Sequence, residues 1–151
     1  MTEGARCCLY GSGFPIAAGP FALEYWCLAH NALKEYHYPD GTIATPYFRK
    51  HGVECNAPMI PLGAKVVVKK TPKMIESEDK FSPRTMDCVF VGWHRKSGGQ
   101  ISNRAFFWPL EDITHESERL PKLIETTDYV VPQSSEICFP LFEAREKALE
   151  Q

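Results

Sequence analysis

The sequence predicts an α+β fold, and three observations predict it. A strongly apolar helical stretch lies near the N-terminus, short strand-like segments follow Pro61, and turn residues punctuate the whole chain. Twelve prolines and ten glycines among 151 residues favour many turns over long helices. With 44% hydrophobic residues, the chain can build a core for one domain or two very small ones.

Taken in order, residues 2–9 read as a short helix, ended by Gly11 and Gly13. The clearest helix spans residues 21–36. Pro20 suits its first turn, and Phe21, Tyr25, Leu28 and Ala32 fall on one line at helical spacing. Ala22, Trp26, Ala29 and Leu33 form a second line beside it, so more than half the circumference is apolar and needs partners. So short a chain offers few. The expectation is a poorly anchored helix, or self-association through its exposed patch. Tyr38-Pro39-Asp40-Gly41 is a turn. Beyond Pro61 the pattern changes: residues 64–70, 88–94, 101–109 and 125–131 are short segments rich in Val, Ile, Phe, Trp and Thr. Ser97-Gly98-Gly99 makes a hairpin turn between the second and third, and the set suits a small half-open barrel. Residues 142–151 fit a short exposed helix.

The formal net charge of −2 conceals a gradient. Residues 1–60 carry four basic and five acidic side chains, a net of −1. Residues 61–105 carry nine and four, a net of +5, and residues 106–151 carry four and ten, a net of −6. A basic middle beside an acidic tail is the pattern of a polyanion-facing surface with a solvating end. No apolar run approaches the roughly 20 residues of a membrane span, and the first residues lack a signal-peptide design. The expectation is a soluble intracellular protein with no membrane partner, the nucleus being one compartment open to it. The six cysteines (Cys7, Cys8, Cys27, Cys55, Cys88 and Cys138) show no C-x-x-C pair, and Cys27 and Cys88 sit in apolar segments as reduced core residues. Neither a disulfide framework nor a cofactor is expected.

Candidate chemistry is sparse. Cys27, His30 and His37 carry ligand-type side chains, yet no second close pair completes a tetrahedral zinc set, and no metal site is expected. Cys7-Cys8 has no histidine near it in sequence, and Ser12 lacks the strand–turn–helix setting of a nucleophile elbow, so no catalytic residue is assigned. Nucleic-acid binding is better supported. Lys65, Lys69 and Lys70 flank one strand, Lys80 and Arg84 flank the next, and Arg95 and Lys96 follow Trp93 at once. If these strands pair, their basic ends gather on one rim, with Trp93, His94 and Phe107 available for stacking. The candidate contacts are Lys65, Lys69, Lys80, Arg84, Trp93, Arg95 and Lys96, and the implied partner is DNA or RNA bound without sequence preference. The plainer alternative makes Trp93, Phe90 and Phe107 core residues and the lysines merely solubilising.

Several motifs stand in an order that narrows this reading. Ala5-Arg6-Cys7-Cys8-Leu9 is followed by Ser12-Gly13-Phe14-Pro15, Thr45-Pro46-Tyr47, His51-Gly52 and Pro61-Leu62-Gly63-Ala64-Lys65. Lys80-Phe81-Ser82-Pro83-Arg84 then leads into Phe90-Val91-Gly92-Trp93. In this order, from about Ala5 to Pro140, the chain resembles the end of a copia-type retrotransposon integrase, part of a Pol polyprotein. It departs from that pattern at Gly19, where Trp is usual, at Phe48 and Ala64, and at Trp93, which stands in place of Tyr.

The resemblance implies helices left from a ribonuclease-H-like core at residues 1–38, a connector at 39–60, a small Src-homology-3-type β-barrel at 61–135 and an acidic tail at 136–151. It also implies that the Asp-Asp-Glu residues that catalyse DNA integration would lie ahead of Met1. This chain would then be a fragment that binds DNA without catalysing. Asp40 and Glu76, 35 residues apart, match the family's spacing for its last two carboxylates. They lie in a turn and a polar stretch rather than converging from rigid elements, and read as surface charges. A protein-interaction module, or a non-functional gene remnant, is the alternative.

Overall fold

The computed structural model describes residues 2–55, 57–70, 72–76 and 80–150. Met1 and Gln151, the outer ends of the expected first and last segments, lie outside them. Helix α1 (Thr2–Ser12) packs on α2 (Gly19–Leu33). Pro20 opens α2 as expected, but the helix stops at Leu33 rather than Tyr36. The hairpin that follows is the cause. Tyr36–His37 (β1) pairs with Ile43–Ala44 (β2) around a turn in which Gly41 N donates to Tyr38 O and Thr42 N donates to Asp40 Oδ1. Residues extended for a ladder cannot also close a helical turn. The expected connector holds a helix of its own, α3 (Pro46–His51). Thr45 caps it by accepting from Phe48 N at 3.1 Å, and Gly52 N closes its end on Phe48 O.

Five further strands form one antiparallel sheet: β3 (Lys65–Lys69), β4 (Thr85–Arg95), β5 (Ile101–Pro109), β6 (Ile124–Thr126) and β7 (Tyr129–Val130), in the order β6-β5-β4-β3-β7. A short helix, α4 (Pro72–Glu76), links β3 to β4. The architecture is α+β, with the sheet open: among the described residues no ladder joins its two edges into a barrel. The edges are nonetheless tied through the chain. β6 pairs with β5 and β7 with β3, and only Thr127 and Asp128 stand between them. The single strand expected over residues 125–131 is therefore broken in two, one part on each edge.

Both faces of the sheet are covered. Val66, Val68, Cys88, Phe90 and Phe107 meet Leu28, Tyr47 and Ile60 on one side. Val89, Val91 and Trp108 meet Phe14, Ala22 and Leu141 on the other. A register slip between Phe90 and Gly92 places Phe90 and Trp93, three residues apart, in the same core. Helix α2 serves both sides. Tyr25 stacks on Trp93 at 5.1 Å and donates to Ile60 O at 3.2 Å, while Phe21 meets Trp108 edge-on at 5.1 Å. The expectation of a poorly anchored helix with a bare apolar patch is thus corrected: the strands that follow α2 supply the sheet it covers.

The tail is corrected too. Helix α5 (Pro140–Glu150) buries Leu141, and Arg145 lies over the Tyr10 ring at 4.0 Å while donating to the Tyr10 carbonyl. Gly13, at φ +77, permits the approach, because a Cβ there would overlap the Leu141–Phe142 backbone. The acidic outer face, with Glu143 and Glu150, remains in water. No helix among the described residues is long and apolar enough to cross a membrane.

Two buried groups make this core sensitive to alkali. Burial pushes the Cys88 thiol up from 9.0 to about 12, with Asp87, Asp112 and Glu111 adding to the shift. Burial likewise pushes Tyr25 up from 10.0 to about 12. Each group ionises more readily unfolded than folded, so the unfolded state sheds protons first as pH rises. Stability from these groups is fully present below pH 9.0 and is lost as pH climbs towards about 12. Urea midpoints measured against pH are expected to fall from about pH 9 upward. Tyr25→Phe should remove the part of the fall that begins near pH 10.0.

Candidate nucleic-acid interface

The residues expected to form one basic rim do not share a place. Lys69 pairs with Thr85, Lys65 with Val89, and Arg95 with Ile101. Arg84 and Lys69 therefore lie at one end of β4, and Arg95 and Lys96 at the other. Eleven strand residues separate these ends by roughly 30 Å. Lys65 sits between them, 3.7 Å from Asp87. A single strand with cations at both ends cannot present them on one rim, and this corrects the expectation. Trp93 is corrected as well. It is 2% exposed, stacks on Tyr25 and donates its Nε1–H to Pro58 O at 2.8 Å, so no face is open to a base. Phe107 is wholly buried.

The first end is electrically mixed. Lys69, Lys70 and Arg84 line an open groove of about 530 Å³ together with Glu76 and Asp128. Lys80 and Arg84 are exposed in the loop before β4.

The second end is not mixed. Gly98 and Gly99, at φ +93 and +91, turn the β4–β5 hairpin tightly, with Gly99 N donating to Lys96 O and Lys96 N to Gln100 O. The tip is docked on α3: Ile101 N donates to Tyr47 Oη at 3.0 Å, and the Tyr47 ring lies 4.5 Å from that of His51. A Cβ on Gly99 would stand 3.1 Å from Lys50 Nζ and 3.8 Å from the His51 ring. Lys50, His51 and Arg95 thereby surround a recess of about 150 Å³, floored by Leu28 and Asn31, with Lys96 beside it. Among the described residues, Lys50, Arg95 and Lys96 have no acidic partner. Other cations on the surface do: Arg104 lies 3.4 Å from Glu125, and Arg49 lies 3.5 Å from Asp40.

Lys50 and His51 escape sequence reasoning. Nothing local marks them, because the contact that recruits them joins Tyr47 to Ile101, 54 residues apart. Asp40 is a turn residue. Its carboxyl is held below the usual range, first by the Thr42 hydroxyl and amide and then by Arg49. Glu76 closes the short α4 and is exposed. Among the described residues, no group of three His, Cys, Asp or Glu side chains is placed to hold a metal ion. His30 instead stacks on Trp26 and shares a 2.6 Å hydrogen bond with Tyr36.

Comparison of the chain with known proteins brings no match, whether to family models, to curated proteins or to solved structures.

The Tyr47 hydroxyl is the point on which this site is assembled. Tyr47→Phe leaves the buried Ile101 amide without an acceptor, at an expected cost of about 1–3 kcal/mol. Amide exchange at Ile101 should quicken while that of the β3–β4 ladder stays near its original rate.

Proposed function

We propose that the chain binds nucleic-acid phosphates without sequence preference through the tip of the β4–β5 hairpin and the end of α3, and performs no chemistry of its own. The observation that carries this is the group Lys50, Arg95 and Lys96 with His51 beside them: three cations gathered by a tertiary contact, with no carboxylate among them. Like charges held together raise the local potential, and a phosphate lowers it. Backbone and side-chain donors of this kind position a nucleic acid without reading its bases.

The motif order supports a finer assignment, the DNA-binding end of a copia-type integrase. A strand that breaks at Thr127-Asp128 to pair with β5 on one side and β3 on the other supports a half-open barrel of Src-homology-3 type. In that assignment α1 and α2 correspond to the closing helices of a ribonuclease-H-like core.

Binding to a short duplex, followed by anisotropy over a range of salt concentrations, tests the proposal. Reversing Lys50, Arg95 and Lys96 to Glu should weaken binding at least about tenfold and flatten the log–log salt dependence by about 0.9 per lost contact. Duplexes of unrelated sequence should respond alike. If affinity and salt slope are unchanged, the tip is only a solvated surface.

A further inference from the structure

The motif Lys80-Phe81-Ser82-Pro83-Arg84 is not used by the hairpin tip, and its middle is anomalous. Phe81 is 93% exposed, flanked by two exposed cations. A single bare apolar side chain needs no explanation by itself; what gives Phe81 meaning is the recess beside it.

Next to this loop lies an open groove of about 760 Å³. Its floor is apolar, made by Met86, Leu110 and Ile124, with Pro83 and Pro109 as walls. Its edge is acidic. Glu111 and Asp112 are exposed and have no ion-pair partner among the described residues, and Asp87 stands 3.7 Å from Lys65. The crowding of these three carboxylates is felt inside the sheet, where they help to push up the Cys88 thiol. The groove also runs along unfinished backbone. The β4–β5 ladder ends at the pair Cys88–Pro109, so residues 85–87 pair with β3 on one side and have no ladder partner on the other among the described residues. An extended segment with an apolar anchor and flanking cations is what such a surface accepts.

The chain itself carries that segment. Pro83 already forms a wall of the groove, yet Phe81 is almost wholly in solvent, so the loop does not fill its own groove. A protruding element and a complementary recess side by side on one surface are the requirement for a two-fold interface, in which each copy gives and receives the same contact. We propose that the occupant is a second copy of this chain. The 80–84 loop of each copy seats Phe81 over Met86, Leu110 and Ile124 of the other, with Lys80 and Arg84 facing Glu111 and Asp112. This assignment is independent of the hairpin tip, which stays outside the interface and is thereby presented twice.

Sedimentation equilibrium of the full chain without nucleic acid tests it, over about 1–200 µM, the range suited to a small polar interface. A dimer fraction that rises with concentration is expected. Phe81→Ser should weaken it at least tenfold with no change in the melting curve, since the ring is bare in the single chain. A double variant with Glu111→Lys and Asp112→Lys should be monomeric, and so should one with Lys80→Glu and Arg84→Glu. Mixed in equal amounts, these two should form a heterodimer, because each loop again meets a groove of opposite sign. Arg95→Glu with Lys96→Glu should dimerise as the parent does, whatever its effect on DNA binding. A chain that stays monomeric throughout, a dimer indifferent to Phe81→Ser, or no heterodimer on mixing would each overturn the proposal.

Discussion

The stack of Tyr25 on Trp93 is the contact on which the rest of the molecule rests. One ring comes from α2 and the other from the middle of the sheet, and each sends its polar atom to the same irregular stretch, Tyr25 to Ile60 O and Trp93 to Pro58 O. Buried aromatic rings of this type hold only where their hydroxyl or N–H finds an acceptor. Here the acceptors are two carbonyls, two residues apart, in the part of the connector that follows α3 and has no helix or strand. Gly63 N and Ala64 O then bond to Phe90, and the connector enters the sheet as β3. Helix, connector and first strand are thus placed by one pair of rings.

The same strand sets the electrostatics. Beyond the inward-facing Trp93, Arg95 and Lys96 come to the hairpin tip, where α3 contributes Lys50 and His51. Three other surface cations are answered locally, by Asp87 for Lys65, Glu125 for Arg104 and Asp40 for Arg49. Exposed pairs of this kind contribute little to stability. They do reduce positive potential around β3, β5 and the β1–β2 turn, in contrast to the tip.

Much of the fold is legible in the sequence because its causes are local. Residues 101–109 read as a strand by their Ile, Phe and Trp content after the turn residues, and the structure has β5 over the same residues. Pro20 marks the start of α2, and Ser97-Gly98-Gly99 marks the hairpin. Thr45-Pro46 and Gly52 form a legible start and stop for α3, overlooked because the helix is only six residues long. What is not legible is set by distant partners. Register divides the lysines between two ends of β4, and register depends on which strands meet. The slip at Gly92 turns Trp93 inward, although plain alternation leaves its side undetermined. The cationic tip is the hardest case, since it exists only once Tyr47 has reached Ile101.

The two-residue link between β6 and β7 has a consequence for the order in which the protein assembles. Phe107 pairs with Ile124 across a separation of 17 residues, whereas Val68 pairs with Tyr129 across 61. Loop-closure entropy favours the shorter connection by about 1 kcal/mol, so the β5–β6 side closes first and carries the neighbouring residues to the β3 edge. With Thr127 and Asp128 as the only slack, the second closure costs little once the first is made, and the two edges open and shut together. One short strap thus holds both edges of an otherwise open sheet, so that slack introduced between Thr126 and Tyr129 would loosen the hold of each edge strand on its neighbour.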